Sequence, residues 1–168
     1  MEKDTVLETK FLKADELISE KKISEAIEML ESIIYEEPNF GKAHNHLGWI
    51  YETQIQNSKK AEAHYKQAIK SDPDYKASYI NYSYLLSSQN RFEELKQHLD
   101  KSISIIGINK VSIYNEYGIM YELQGNFKEA VKHFKLAIQN CLDIKAIETH
   151  KASIVRCKNK AGFKSLFW

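Results

Sequence analysis

The stretch from Gly41 to Tyr75, GKAHNHLGWIYETQIQNSKKAEAHYKQAIKSDPDY, decides the fold. Its first half places His44, Leu47, Gly48 and Tyr51 at i, i+3, i+4 and i+7, which puts them on one face of a helix. Its second half repeats the spacing with Ala61, Tyr65 and Ala68. Between them Gln54-Ile55-Gln56-Asn57-Ser58 interrupts both patterns and reads as a loop with local irregularity. Pro73 closes the stretch, because proline lacks an amide donor and biases its predecessor away from helix. The stretch is therefore two amphipathic helices folded back on each other. Its small residues let the helices approach closely, and its large ones fill the facing groove.

The same pattern recurs along the chain. Pro38 and Pro73 are 35 residues apart. Ala14, Gly48, Ser83 and Gly118 form a line of small residues with the same interval, to within a residue. Three further lines run Ala26, Ala61, Leu95, Ala130; Leu30, Tyr65, Leu99, Phe134; and Ile33, Ala68, Ser102, Ala137. A fifth runs Leu17, Tyr51, Leu86, Tyr121. Independent lines sharing one period of 34 to 35 residues define an internal repeat. The short segments Lys21-Lys22-Ile23, Gln89-Asn90-Arg91-Phe92 and Gly125-Asn126-Phe127 read as turns within repeats, where Gly or Asn can take positive φ after a helix.

These positions resemble the tetratricopeptide repeat, whose period and Leu-Gly, Tyr, Ala, aromatic, Ala, Pro pattern they follow. The second repeat matches throughout. The fourth matches through Tyr117-Gly118, Tyr121, Ala130, Phe134 and Ala137, with Leu142 at the proline slot. The third is looser, and the first lacks the early aromatic. The resemblance implies an all-α, right-handed α-solenoid of four such helix-turn-helix repeats, at 7–40, 41–75, 76–110 and 111–144. Residues 145–168 read as a capping helix, broken near Gly162, and an apolar tail, Phe163 to Trp168. An apolar end face needs such a cap. The tail is expected to lie against protein, in the same chain or a neighbour.

Composition agrees. Of 168 residues, 43% are apolar and 28% charged, as in ordinary globular proteins. Six Gly and two Pro are too few for an all-β fold or a glycine-rich dinucleotide fold. Lys plus Arg number 24 against 23 for Asp plus Glu; this near-balance argues against a nucleic-acid or polybasic membrane-surface protein. No apolar run is long enough to span a bilayer, and the start shows no secretory leader. The expected compartment is the cytoplasm. Cys141 and Cys157 fit no zinc or redox spacing and are expected to be a buried pair.

Chemistry-bearing motifs are sparse. No phosphate loop, nucleophile elbow or His-Glu-x-x-His is present. His44 and His46, two apart on a helix, point to different sides and cannot share a metal. The remaining histidines are expected to be solvent-facing or hydrogen-bonded. No cofactor, metal or enzymatic activity is expected.

The family resemblance further implies a concave binding groove lined by one face of each first helix. Transferred by position, that face carries Glu8, Phe11, Leu12, Asp15 and Ile18, then Lys42, Asn45, His46, Trp49 and Glu52. It continues through Thr53, Ala77, Ile80, Asn81, Tyr84 and Ser87 to Ser112, Asn115, Glu116, Ile119 and Glu122, with Ala146, Thr149 and His150 added from the last helix. Asn45, Asn81 and Asn115 supply one carboxamide per repeat, a group that both donates to and accepts from a peptide backbone. Trp49 and Tyr84 are aromatic anchors. The expected partner-binding set is Asn45, Trp49, Asn81, Tyr84, Asn115 and Ile119, all at least partly accessible. The family's clamp for a C-terminal carboxylate is excluded, since Ser112 and Glu116 occupy its cationic slots. The leading reading is a protein-interaction module, an adaptor, scaffold or chaperone-like protein that binds a peptide or helical segment of another protein. The alternative is a structural unit that forms homo-oligomers through its end faces or the C-terminal tail.

Overall fold

The computed structural model describes residues 2–164, with side chains from Thr5 to Gly162. Among the described residues there are nine helices and no strand. They are α1 (Glu2–Ser19), α2 (Ile23–Glu36), α3 (Gly41–Thr53), α4 (Ser58–Ser71), α5 (Lys76–Ser88), α6 (Phe92–Ser102), α7 (Lys110–Leu123), α8 (Phe127–Gln139) and α9 (Ile144–Lys164). This is the all-α repeat fold that the periodicity predicts. The chain forms two compact units that divide within α5, between Leu85 and Leu86.

In the first unit α1 packs on α2 and α3 on α4, and α2 also meets α3. Gly48 and Tyr65 explain the closeness of the second pair. A methyl group at Gly48 would sit 2.6 Å from the Tyr65 ring. Ala14, Ala26, Leu30, Ile33, Leu47, Ala61 and Ala68 are buried around such contacts. Pro38 and Pro73 lie just beyond the ends of α2 and α4.

In the second unit α7 packs on α8, and α9 covers α8 from Ile144 onward. Gly118 faces Phe134 at the same 2.6 Å that a methyl would have. Ala130, Phe134 and Cys157 form a sealed cluster, flanked by Ile119, Tyr121 and Ile154. The turns follow local chemistry. Asn57, Asn109 and Asn126 accept hydrogen bonds from the amides of Lys60, Ser112 and Glu129 at 3.1, 3.2 and 3.3 Å, capping α4, α7 and α8. Asn90 and Gly125 take φ of 55° and 74° as expected, and Gln56 takes 59° inside the irregular loop.

Three expectations are corrected. α9 is not broken at Gly162 but continues to Lys164. A methyl there would meet nothing within 4 Å, so the helix passes through a sterically open position. Cys141 and Cys157 are not a buried pair. Cys157 is buried, whereas Cys141 is only half-buried, its thiol directed at the Asp143 carbonyl oxygen. Phe11 does not face a groove; it is buried against Phe40 and, edge-on, against His46, with centroids 5.8 and 4.6 Å away. The side chains of the Phe163–Trp168 tail lie outside the described residues.

The two glycines give opposite expectations. Gly118→Ala drives a methyl into the Phe134 ring and should lower stability by roughly 1 to 3 kcal/mol. Gly162→Ala removes backbone freedom at no steric cost and should raise it by about 0.5 to 1 kcal/mol. Urea melts of the two variants check both signs.

Candidate functional site

The first unit holds a concavity of about 370 Å³. Trp49 and Asn45, one turn apart on α3, supply part of its wall. Asn81 and Ala77 come from α5, Asp15 and Ile18 from α1, and Tyr75 from the residues before α5. Asn81 Nδ2 donates to Asn45 Oδ1 at 3.0 Å. That bond uses one acceptor of Asn45 and one donor of Asn81. Asn81 is half-buried, and a carboxamide both donates and accepts. Trp49 is half-buried and also lines an adjoining concavity with Ile18 and Ile23.

Charges around this concavity are mostly engaged. His46 Nε2 lies 2.7 Å from Asp15 Oδ1, and its Nδ1 donates to the Lys42 carbonyl at 3.0 Å. Lys42 Nζ in turn donates to Glu8 at 2.8 Å. The wall thus combines amides, indole and phenol with Ile18, Ala77 and the mutually paired Asp15 and His46.

Not every predicted residue belongs here. Asn45, Trp49 and Asn81 line one concavity, but Asn45 is only 3% exposed, so its expected accessibility fails: the Asn81 amide lies over it. Tyr84 is exposed, at 41%, and lines no part of the concavity. Asn115 and Ile119 lie in the second unit and are half-buried. Asn115 Nδ2 donates to Glu116 at 3.1 Å, and Ile119 packs on the Phe134 cluster. Glu116 and Glu122, assigned to the groove by helical phase, are buried instead. Burial raises the Glu116 carboxyl. Glu122 takes two 2.7 Å hydrogen bonds from Arg156 and one from Lys160; these hold its carboxyl at about 2 and tie α7 to α9. Tyr75 was not foreseen, and its place in a loop gave no periodic signal.

The histidines depart from expectation in one case. His150 is buried over Phe134, and neither ring nitrogen has a hydrogen-bond partner. Burial lowers its pKa. His44 Nε2 is 3.0 Å from the Pro38 carbonyl and so donates to it, leaving Nδ1 to accept from His64 Nδ1 at 3.0 Å. Burial first, then the neighbouring His44, holds His64 at about 4. No cluster of three metal-ligating side chains occurs among the described residues. None of their helices is long and apolar enough to cross a membrane.

The comparisons follow the repeat. The profile of the tetratricopeptide-repeat family matches residues 41–75 and 111–142. The structure of pilF from Pseudomonas aeruginosa superposes with a TM-score of 0.83 at 17% identity, over 95% of this chain and 72% of that one. The MamA protein gives 0.69 at 24% identity, over 80% and 72%. The Arabidopsis OM64 tetratricopeptide domain gives 0.60 at 22%, over 71% and 94%. No curated protein matches the chain. The fold is that of a helical repeat protein with an open binding surface. The chain carries tetratricopeptide repeats at these two stretches and has the fold of tetratricopeptide-repeat proteins.

The buried histidines set a pH dependence. His64 titrates near 6.5 when unfolded and near 4 when folded, so the unfolded chain takes up the proton first. Stability should be complete above about 6.5 and fall as pH drops toward about 4. His44 and His150 act in the same direction. Urea melts across that window should show the loss, and His64→Phe should flatten it.

Proposed function

We propose that this protein is a protein-interaction module that holds an extended segment of a partner protein in the first unit's concavity. The observation carrying the reading is the Asn45–Asn81 carboxamide pair beside half-buried Trp49. Paired amides hold a backbone regardless of its sequence, and an indole takes one apolar side chain. Tyr84 is proposed as a further contact of the first unit, and Asn115 and Ile119 as contacts of the second unit by itself. The engaged Lys42 supports the exclusion of a carboxylate clamp. An adaptor or chaperone-like role in the cytoplasm, without catalysis, cofactor or nucleic-acid partner, follows from this reading.

Peptides selected from a random library against the full chain test it. Their affinity should fall at least tenfold in Asn81→Ala and in Trp49→Ala, about 1.4 kcal/mol each. Arg156→Ala, remote from the concavity in sequence, serves as the control and should bind normally. Peptides that bind both concavity variants as well as wild type would refute the assignment.

A further inference from the structure

Net charge conceals a partition. Residues 1–37 carry eleven Asp and Glu against five Lys, whereas residues 127–168 carry nine Lys and Arg against three Asp and Glu. The partition is sharpest on two helices. α2 holds Glu25, Glu28, Glu31 and Glu36 with no basic residue. α8 holds Lys128, Lys132 and Lys135 with Glu129 alone opposing them.

Each helix presents these charges beside a shallow apolar hollow. At α2 the hollow measures about 390 Å³, with Leu17 and Met29 in its wall, Glu25 and Glu28 beside them, and Lys13 of α1, paired with Glu16, on its other side. At α8 it measures about 410 Å³, with Val131 and Leu136 set among the three lysines. Among the described residues Glu25 and Glu28 make no ion pair, nor do Lys128 and Lys135. The rows also match in length. Glu25 to Glu31 spans about 9 Å along its helix axis and Lys128 to Lys135 about 10 Å, at 1.5 Å per residue.

We propose that the glutamate face of α2 in one copy docks on the lysine face of α8 in a second copy of this chain. Opposite charges then meet at the rim while the Leu17–Met29 and Val131–Leu136 hollows meet between them. The contact joins two different faces, so it is heterologous and either closes into a ring or extends. A second copy is the occupant because the chain itself carries both halves of the match. This surface is separate from the Trp49 concavity, and the proposal stands or falls independently of it.

Mass measurements by light scattering on the full chain test it. The weight-average mass of wild type should rise with concentration at about 0.02 M salt and return to that of a monomer at about 0.5 M, where screening is short-ranged. Glu25→Lys, Glu28→Lys and Glu31→Lys in one variant should weaken self-association at least tenfold. Lys128→Glu, Lys132→Glu and Lys135→Glu in a second variant should do the same. Mixing the two variants should restore association, because each then offers the face the other lacks; a variant that had merely unfolded would not be rescued. A wild type that stays monomeric at low salt overturns the proposal. So does self-association that survives both charge reversals, which would move the contact to another surface such as the tail. Trp49→Ala should leave the mass unchanged.

Discussion

The distance at which two helices of a repeat can approach each other governs the rest of the molecule. At Gly48 and Gly118 that approach is so close that a methyl would lie 2.6 Å from an aromatic ring. Tyr65 and Phe134 fill the space that a side chain would otherwise take, and both are fully buried. Backbone contact at one point sets the spacing of the whole pair, since helices are stiff and side chains pack at crystal-like density. Ala14 and Ser83 occupy the corresponding positions elsewhere and are also fully buried. Larger residues on this line would separate the helices and open the core.

Large aromatics at these positions bring hydroxyls with them, and the structure meets that cost with carboxylates. Tyr65 donates to Glu52 at 2.7 Å and Tyr82 to Glu62 at 3.0 Å, while Tyr117 donates to Asp100. Phe134 needs no such partner, and α9 seals it instead, with Cys157 and His150 against it. At Phe134 an apolar contact thus stands where the second repeat has the Tyr65–Glu52 hydrogen bond. The exchange leaves His150 as a buried imidazole without a hydrogen bond, a group that is tolerated only while uncharged.

What the sequence could disclose follows from periodicity. Helix pairs, turns and the small-residue line are periodic properties, and all were legible. Helical phase also placed Asn45, Trp49 and Asn81 on one side of their helices, and the structure brings them to one concavity. Phase reports a direction, however, and not what stands in that direction. Phe11 points outward from its own helix and is covered by Phe40, which belongs to no periodic segment. Glu122 points outward and meets Arg156, in a segment that follows no repeat pattern. Tyr75 likewise belongs to a loop. These three lie where residues outside the repeat pattern meet residues inside it, whereas Asn45 is covered by Asn81, another position of the repeat face.

The distribution of charge carries a similar lesson. A net charge of +1 over 168 residues is a valid statement about the average field of the chain. It says little about a face, because screening confines exposed charges to a reach of roughly 8 to 10 Å. Within that reach α8 offers three lysines and α2 only carboxylates. An argument from near-neutrality against a charged partner therefore holds for the molecule seen from afar and fails at these two helices. The Trp49 concavity differs in kind, since His46 and Lys42 there are already held by Asp15 and Glu8. The proposed recognition in the concavity relies on amide geometry and apolar contact, which salt hardly touches, and the proposed contact of α2 with α8 on fields that salt removes. The two proposed surfaces therefore differ in physical character, and ionic strength is the variable that separates them.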